Sequence, residues 1–289
     1  MPKQALLQKI RTHTAKIGII GLGYVGLPLV IRFGEESFNV TGLDIDNAKI
    51  DKLNTGCSYI NHIPSEKTKK LILSKKFQAY SDFSYIKDID CIIICVPTPL
   101  NGKKEPDMSF IEATSDEIAK YIHPGQLIVL ESTTYPGTTR EILLPKFEKK
   151  GLKAGKDFFL AFSPEREDPD KPKYNTQNIP KVVGGIPPDC TEVAEFTKLL
   201  ENIYRSVNIA LVNELKMLAE RMNVNIREVI EAASTKPFGF TPFYPGFGLA
   251  GINRLVQAAK ARARGYRTTK NLSTMICLSA GKFNLNLPT

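Results

Sequence analysis

The feature that most constrains this chain is a run of three glycines between a predicted strand and a predicted helix. Gly21-Leu-Gly23-Tyr-Val-Gly26 follows the apolar residues 16–20 and leads into a segment of helical periodicity, residues 25–33. The first glycine of such a run permits a tight turn, and the third lets the strand and the helix pack closely. The order of strand, glycine turn and helix therefore predicts the opening βαβ unit of a Rossmann-type sheet.

The same alternation continues through the first two thirds of the chain, which predicts an α/β, doubly wound parallel sheet. Short apolar runs mark the expected strands at residues 16–20, 39–44, 91–96, 126–131, 158–162 and 181–183. Beyond them, apolar residues recur at intervals of three, four and seven, which predicts one long helix. We expect a nucleotide-binding domain over residues 1–188, a connecting helix over 189–222 and part of a helical central domain over 223–289.

An acidic residue on the second predicted strand indicates which dinucleotide the glycine turn binds. Asp44 lies 18 residues beyond Gly26, at the end of the predicted strand 39–44. A carboxylate in that position accepts hydrogen bonds from the ribose hydroxyls of NAD and repels the additional phosphate of NADP. The sequence therefore predicts NAD as the cofactor, with a plain glycine turn and a strand-ending aspartate as the alternative interpretation.

Charge and cysteine content narrow the remaining classes of protein. The net charge of +9 comes mostly from residues 252–289, which hold seven basic and no acidic residues and leave 32 basic and 30 acidic residues before them. No aromatic-and-basic motif accompanies this tail, so nucleic-acid binding is not expected. Neither a secretion signal nor a membrane span is recognisable. With five scattered cysteines, we expect a cytoplasmic protein without disulfides or a metal site, in which Cys91 and Cys95 fill the core.

Further motifs lie near the carboxyl ends of the predicted strands, where open α/β sheets bind ligands. They are Val96-Pro-Thr-Pro99, Glu131-Ser-Thr-Thr-Tyr-Pro-Gly-Thr-Thr139 and Ser163-Pro-Glu-Arg-Glu-Asp-Pro169, followed by Lys198-Leu-Leu-Glu-Asn202, Asn208 to Leu215 and the Gly/Pro/aromatic loop 236–248. Together with the glycine turn, they resemble the UDP-glucose/GDP-mannose dehydrogenase family over about residues 14–251. The resemblance is strongest to the members that act on UDP-N-acetylglucosamine or UDP-N-acetylmannosamine.

The resemblance implies an enzyme that oxidises the C6 hydroxyl of a UDP-N-acetylhexosamine to a carboxylate and reduces two NAD. It implies that Thr133 helps to position a water, that Glu165 assists proton transfer or thioester hydrolysis, and that Lys198 and Asn202 stabilise the oxyanion at C6. The implied cofactor-binding residues are Gly21, Gly23, Tyr24, Val25, Gly26, Asp44, Pro97, Thr98 and Thr133. The implied substrate-binding residues are Lys198, Asn202, Tyr244, Gly246 and Gly248. Independently of the family, residues four apart share one helix face, which suits Lys198 and Asn202 to a common anion.

The chain departs from the family pattern after the aromatic loop. The family has Gly-Gly-His-Cys-Ile-Pro there, with the cysteine as nucleophile, whereas this chain has Leu249-Ala-Gly-Ile-Asn253-Arg254. Asn253 cannot form the thiohemiacetal and thioester that carry the aldehyde to the acid. The chain is also shorter than the family between Gly185 and Lys198 and has no room for the C-terminal UDP-binding domain. We therefore expect that this sequence represents a longer enzyme incompletely.

Two other interpretations remain open. A β-hydroxyacid dehydrogenase also joins a glycine-rich domain to a long helix and uses a helix Lys and Asn, but it does not explain residues 131–139 or 236–248. A non-catalytic NAD-binding or assembly protein is consistent with Asn253. In each case, the apolar stripe of the long helix needs a partner surface, which favours a homodimer.

The expectation of an incomplete sequence predicts that the purified protein is heavier than 289 residues allow, or that it differs from this sequence around position 253. Intact mass spectrometry with peptide sequencing measures both. A mass that matches the 289 residues, with asparagine confirmed at position 253, would contradict the expectation.

Overall fold

A computed structural model of the protein describes residues 2–61, 63–99, 106–166, 179–186 and 191–245. Seven strands form one sheet, namely β1 (Lys16–Ile20), β2 (Asn39–Leu43), β3 (Phe77–Tyr80), β4 (Cys91–Ile94), β5 (Leu127–Leu130), β6 (Phe159–Phe162) and β7 (Gly184–Ile186). The helices are α1 (Pro2–Arg11), α2 (Gly26–Glu35), α3 (Asn47–Asn54), α4 (Ser65–Leu73), α5 (Ser109–Tyr121), α6 (Leu144–Glu148), α7 (Thr191–Arg221) and α8 (Ile226–Ser234). A 3₁₀ turn (Phe83–Asp88) precedes β4, and a π-helical turn (Thr139–Leu143) leads into α6.

The strand order is β3-β2-β1-β4-β5-β6-β7, and β1 to β6 are parallel. The chain moves outward from β1 through β2 to β3 and then returns to place β4 on the other side of β1. In a doubly wound sheet, this reversal opens a crevice at the carboxyl ends of the strands. The predicted α/β, Rossmann-type architecture is therefore confirmed.

Apolar clusters cover both faces of the sheet, as alternation along β4 demonstrates. Cys91, Ile93 and Cys95 belong to the cluster that includes α2, whereas Ile92 and Ile94 belong to the cluster that includes α5. A strand buried on both faces needs a continuous apolar run, because successive side chains point to opposite sides. Cys91 and Cys95 are buried in the core, as predicted.

Two strands differ from the prediction. Residues 181–183 are not a strand, and the chain instead pairs at Gly184–Ile186, antiparallel to β6. Two glycines give this short strand almost no propensity signal, so that tertiary pairing decides its position. The strand β3 was missed because it is an edge strand in which buried Phe77 and Ala79 alternate with more exposed residues, rather than a continuous apolar run.

The predicted long helix is confirmed as α7, which extends from Thr191 to Arg221. Asp189, with Glu192 three residues later, has the spacing of an N-terminal cap for this helix, and it lies outside the described residues. The chain divides into two compact units, and the division falls between Lys198 and Leu199, within α7. Residues 236–245, the described part of the aromatic loop, contain no helix or strand. The predicted domain boundaries at residues 188 and 222 stay a prediction.

Among the described residues, no helix combines the length and the apolar character that crossing a membrane requires.

Candidate active site

The glycine turn connects β1 to α2 at the carboxyl ends of the strands, and each of its glycines has a different steric environment. Gly21 has φ +89°, which side-chain-bearing residues rarely adopt. A Cβ on Gly26 would overlap with the carbonyl oxygen of Gly21, whereas a Cβ on Gly23 would meet no protein atom within 4 Å. At Gly26 the protein therefore leaves no space for a side chain, whereas at Gly23 the space beside the backbone is open.

Asp44 follows β2 beside this turn. One carboxylate oxygen accepts a hydrogen bond from the backbone N–H of Leu22 at 2.9 Å, and the other accepts one from the N–H of Asp46 at 3.0 Å. The Lys49 ammonium lies 3.8 Å from the same carboxylate. These contacts hold a buried acid next to the glycine turn, as the sequence predicts.

These residues fit NAD. The open side of Gly23 leaves room for a pyrophosphate close to the start of α2 at Gly26. The N-terminus of a helix favours negative charge through its N–H groups and the positive end of its dipole. Exposed Tyr24 and half-buried Val25 complete the turn, and Asp44 supplies the acceptor for a ribose.

The segments that follow β4 and β5 are joined by two side chains. Thr98 Oγ1 donates to the carbonyl oxygen of Thr133 at 2.8 Å, and Ser132 Oγ donates to the carbonyl oxygen of Val96 at 2.7 Å. Exposed Pro97 lies between the joined positions. The structure thus brings predicted residues from two motifs together at the crevice.

Thr134, in the same loop, is 3% exposed, and the described residues offer its hydroxyl no hydrogen-bond partner. Its neighbour Thr133 is only half-buried. A buried hydroxyl of this kind is normally satisfied by water or by a bound ligand.

Three charged side chains meet at the carboxyl ends of β5 and β6. The Lys181 ammonium forms an ion pair with Glu131 and lies 3.7 Å from the carboxylate of Glu165. The side chain of Glu131 is 4% exposed, and burial raises its pKa to about 7 despite the attraction of Lys181. Burial alone would lower the pKa of Lys181, but the two carboxylates outweigh it and raise that pKa.

The first turns of α7 are held by a buried carboxylate. Glu195 is fully buried and accepts hydrogen bonds from the N–H and the hydroxyl of Thr139, at 3.0 and 2.7 Å, and from the N–H of Gly137. Burial raises its pKa, and these hydrogen bonds oppose the rise. Because the donors lie at the start of the π-helical turn, Glu195 caps that turn and ties α7 to the loop that contains Thr133.

Lys198 follows three residues later on α7, and its ammonium donates to the backbone carbonyl of Glu165. The first unit therefore assembles Gly21, Asp44, Thr98, Thr133, Glu165 and Lys198 at the carboxyl ends of its strands.

The remaining predicted residues belong to the second unit or lie outside the described residues. Asn202 is half-buried on α7, and Tyr244 is exposed in the aromatic loop. That loop contacts α7 through Phe243, whose ring packs edge-on against Tyr204 at 5.7 Å. Gly246, Gly248 and Asn253 lie outside the described residues. The structure does not test the roles of any of these residues.

Sequence reasoning gave no role to Glu131, Lys181 or Glu195. Glu131 could have been found as a charged residue that directly follows an apolar strand. Its partner Lys181 could not have been predicted from the sequence. The burial of Glu195 was not predicted, because the apolar periodicity that predicts this helix begins with Val193 and Phe196. Both of these are exposed, whereas their neighbours Ala194 and Glu195 are buried. Within the described ranges, no group of three His, Cys, Asp or Glu side chains could hold a metal ion.

Comparison with known families agrees with this geometry. Residues 15–208 match the model of the UDP-glucose/GDP-mannose dehydrogenase family, NAD binding domain. Residues 192–276 match the central domain of the same family. The first match covers most of the described residues, including the glycine turn, so NAD is the cofactor of this domain.

Individual proteins similar to this chain belong to the same family. The UDP-N-acetyl-D-glucosamine 6-dehydrogenase of Pseudomonas aeruginosa is 33% identical over 276 residues, which cover 87% of this chain and 64% of that protein. The solved structure of UDP-D-ManNAc dehydrogenase from Pyrococcus horikoshii matches with a TM-score of 0.77 and 29% identity, over 92% of this chain and 67% of that chain. This chain thus spans less than two thirds of the length of the Pseudomonas relative.

A third comparison is relevant to the alternative enzyme class. The 3-hydroxyisobutyrate dehydrogenase of Mycobacterium tuberculosis matches with a TM-score of 0.62 and covers 92% of both chains, at 14% identity. At this level of identity, only the fold is shared.

The two environments within the glycine turn predict different outcomes for the same substitution. Gly26→Ala places a methyl group against Gly21 and should destabilise the fold by roughly 1–3 kcal/mol. Gly23→Ala should leave the thermal unfolding midpoint nearly unchanged but weaken NAD binding about tenfold or more, because its methyl group occupies the pyrophosphate approach. Thermal unfolding and calorimetric NAD titration measure both effects. A Gly23→Ala variant with undiminished NAD affinity would contradict this assignment.

The buried carboxylate on α7 predicts a large loss of stability on a nearly isosteric change. Glu195→Gln replaces an acceptor with a donor that faces N–H groups, so we expect the free energy of unfolding to fall by about 2–4 kcal/mol. The control is Glu192→Gln, which breaks the more exposed ion pair with Arg140 and should cost less than about 1 kcal/mol. Urea unfolding measures both values, and equal losses would show that Glu195 is not a special anchor.

Proposed function

Because the chain belongs to the UDP-glucose/GDP-mannose dehydrogenase family, we propose that it oxidises the C6 hydroxyl of a UDP-N-acetylhexosamine to the uronic acid, with NAD as acceptor. The product would serve the synthesis of polysaccharide precursors. The observation that carries the proposal is the convergence of the glycine turn, Thr133, Glu165 and Lys198 at one edge of the sheet. The identity to a UDP-N-acetyl-D-glucosamine 6-dehydrogenase supports the class of substrate.

In the proposed mechanism, the residues of the first unit hold the cofactor and manage charge at C6. The glycine turn and Asp44 would hold the dinucleotide together with Pro97, Thr98 and Thr133, and NAD would supply the hydride acceptor when bound. Lys198 stabilises the negative charge that develops on the substrate oxygen, since an ammonium in a partly buried site acts strongly on such charge. Glu165 receives or returns protons, and Thr133 positions a water.

The second unit contributes substrate contacts in this proposal. Asn202 would donate a hydrogen bond to the oxygen at C6. Tyr244, with Gly246 and Gly248, would hold the sugar diphosphate. We also propose that the nucleotide-binding domain extends to residue 188, the connecting helix to residue 222, and part of a central domain to residue 289.

A homodimer and a cytoplasmic location complete the proposal. Helix α7 exposes apolar side chains in the second unit, including Leu200, Val207, Leu211 and Leu218. Exposed apolar stripes of this length usually mark a protein interface. The cysteines Cys57, Cys91 and Cys95 are free thiols, as in proteins of a reducing compartment.

Two alternative functions can be distinguished from the proposed one by experiment. A β-hydroxyacid dehydrogenase shares the fold but gives no role to the residues Glu131 to Thr139 or to the aromatic loop. A non-catalytic NAD-binding protein is favoured by Asn253, which occupies the position of the family's nucleophilic cysteine.

The number of NADH molecules formed per molecule of UDP-N-acetylglucosamine or UDP-N-acetylmannosamine distinguishes these functions. We expect NADH formation with one of these sugars, with two NADH per sugar if both oxidations occur and one if the reaction stops at the aldehyde because residue 253 is not a thiol. Lys198→Met is expected to lower the rate at least about a hundredfold with NAD affinity unchanged. NAD binding without NADH formation from either sugar would favour the non-catalytic protein. Turnover of a 3-hydroxy acid would favour the alternative enzyme.

A further inference from the structure

The three side chains of the charged cluster, Glu131, Lys181 and Glu165, differ in how far they are exposed to solvent. The side chain of Glu131 is 4% exposed, that of Glu165 is 20% exposed and that of Lys181 is 31% exposed. Glu131 thus forms the buried end of the cluster, and Glu165 lies at the substrate side in the proposed mechanism. Lys181 lies between them and contacts both carboxylates.

Two carboxylates at close range in a partly buried site oppose each other's ionisation. Repulsion between Glu131 and Glu165 adds to the burial that raises the pKa of Glu131, while Lys181 lowers it. The nearby thiol of Cys95 stays neutral, because burial and the charge of Glu131 raise its pKa. The Lys181 ammonium is thus a cation in contact with both carboxylates, and the Lys198 ammonium contacts the backbone of Glu165 nearby.

The backbone places Lys181 independently of the other two residues. Glu131 follows β5 and Glu165 follows β6, whereas Lys181 precedes β7, which pairs antiparallel with β6. The neighbouring Pro180 accepts a hydrogen bond from the Arg166 guanidinium at 2.8 Å. This contact ties the segment of Lys181 to the segment of Glu165.

We propose that Lys181 is a positioning residue, whose ammonium is anchored on buried Glu131 and orients and stabilises the carboxylate of Glu165 for proton transfer. The inference rests on the proposed function, in which Glu165 handles protons of the reaction. Lys181 itself touches neither substrate nor cofactor in this scheme.

Removal of the ammonium changes the protonation of the pair. In Lys181→Met, Glu131 and Glu165 remain close without their shared cation, so they retain one proton between them to higher pH. The carboxylate pair then carries this proton over a wider pH range in which the reaction requires it ionised. The effect falls on the rate of the chemical step and leaves the binding of NAD intact.

The experiment compares Lys181→Met, Lys181→Arg and the double variant Glu131→Gln/Lys181→Met in the full chain. For Lys181→Met, we expect kcat to fall about tenfold or more, KM to change less than about threefold and the acidic limb of the pH profile to move up by about one unit. Lys181→Arg should recover most of the rate, because it keeps the charge. Lys120→Met, which removes an exposed ion pair with Glu117, is the matched control and should behave as the unsubstituted protein.

The double variant separates positioning from simple charge neutralisation. It removes the unpaired buried charge together with its partner, so thermal stability should return towards that of the unsubstituted protein. It also removes the proton shared with Glu165, so the pH profile should return towards that of the unsubstituted protein. If Lys181 orients Glu165 through their direct contact, kcat at the pH optimum stays low despite this recovery. Full recovery of kcat would overturn the proposal, since Lys181 would then only neutralise Glu131.

A spectroscopic measurement distinguishes failure of this inference from failure of the proposed function. Carboxyl ¹³C NMR of labelled glutamate, assigned with Glu131→Gln and Glu165→Gln, follows the titration of the coupled Glu131–Glu165 pair without any substrate. Because the charge of Lys181 lowers the pKa of Glu131, Lys181→Met should move this titration upward. An unmoved titration overturns the inference even in an active enzyme. A moved titration in a protein that oxidises no UDP-sugar supports control of the carboxylate pair by Lys181 and refutes the proposed function, in which that control serves proton transfer.

Discussion

The structure depends on the constraint that parallel strands end at the same edge of their sheet. Strands β1, β2, β4, β5 and β6 each deliver a segment to that edge, and the reversal of strand order between β1 and β4 keeps a crevice open among them. Residues far apart in sequence, such as Gly21, Thr133 and Glu165, are therefore brought to one place by backbone pairing alone. The site chemistry then requires only suitable side chains at the ends of these strands.

The loop that contains Thr133 is fixed at both ends by buried carboxylates. At its beginning, Glu131 forms an ion pair with Lys181, and at its end, Glu195 accepts hydrogen bonds from Gly137 and Thr139. Burying a carboxylate is costly unless charge or N–H donors compensate it, and each of the two uses a different compensation. Glu131 is compensated by the Lys181 ammonium, and the charge of this ammonium can also act on Glu165. The second uses donors at the start of a helical turn and serves as an anchor for α7.

The sequence was most informative where one local pattern determines the structure. Strand β1, the glycine turn and α7 were predictable because each has a continuous apolar run, a fixed spacing or a long periodicity. Strands β3 and β7 were not predictable, because their residues have weak strand propensity and pairing with neighbouring strands determines where they form. Lys181 meets Glu131 across 50 residues, and no spacing rule reports such a contact. The burial of Glu195 was likewise unreadable, because the buried face of α7 near its start differs from its most apolar face.

The departure at Asn253 divides the proposed chemistry into two parts with different requirements. Removal of a hydride from an alcohol needs an acceptor, which is NAD, together with a group for the proton and stabilisation of the oxygen, for which we propose Glu165, Lys198 and Asn202. Conversion of the aldehyde through a thioester needs a nucleophilic thiol, and the lone pair of an amide nitrogen is delocalised into its carbonyl group. In the proposal, the groups of the first part precede residue 253 in the chain, and the thiol is required only for the second. The proposed chemistry therefore separates at the aldehyde, because the lack of a thiol at position 253 removes a requirement of the second oxidation and none of the first.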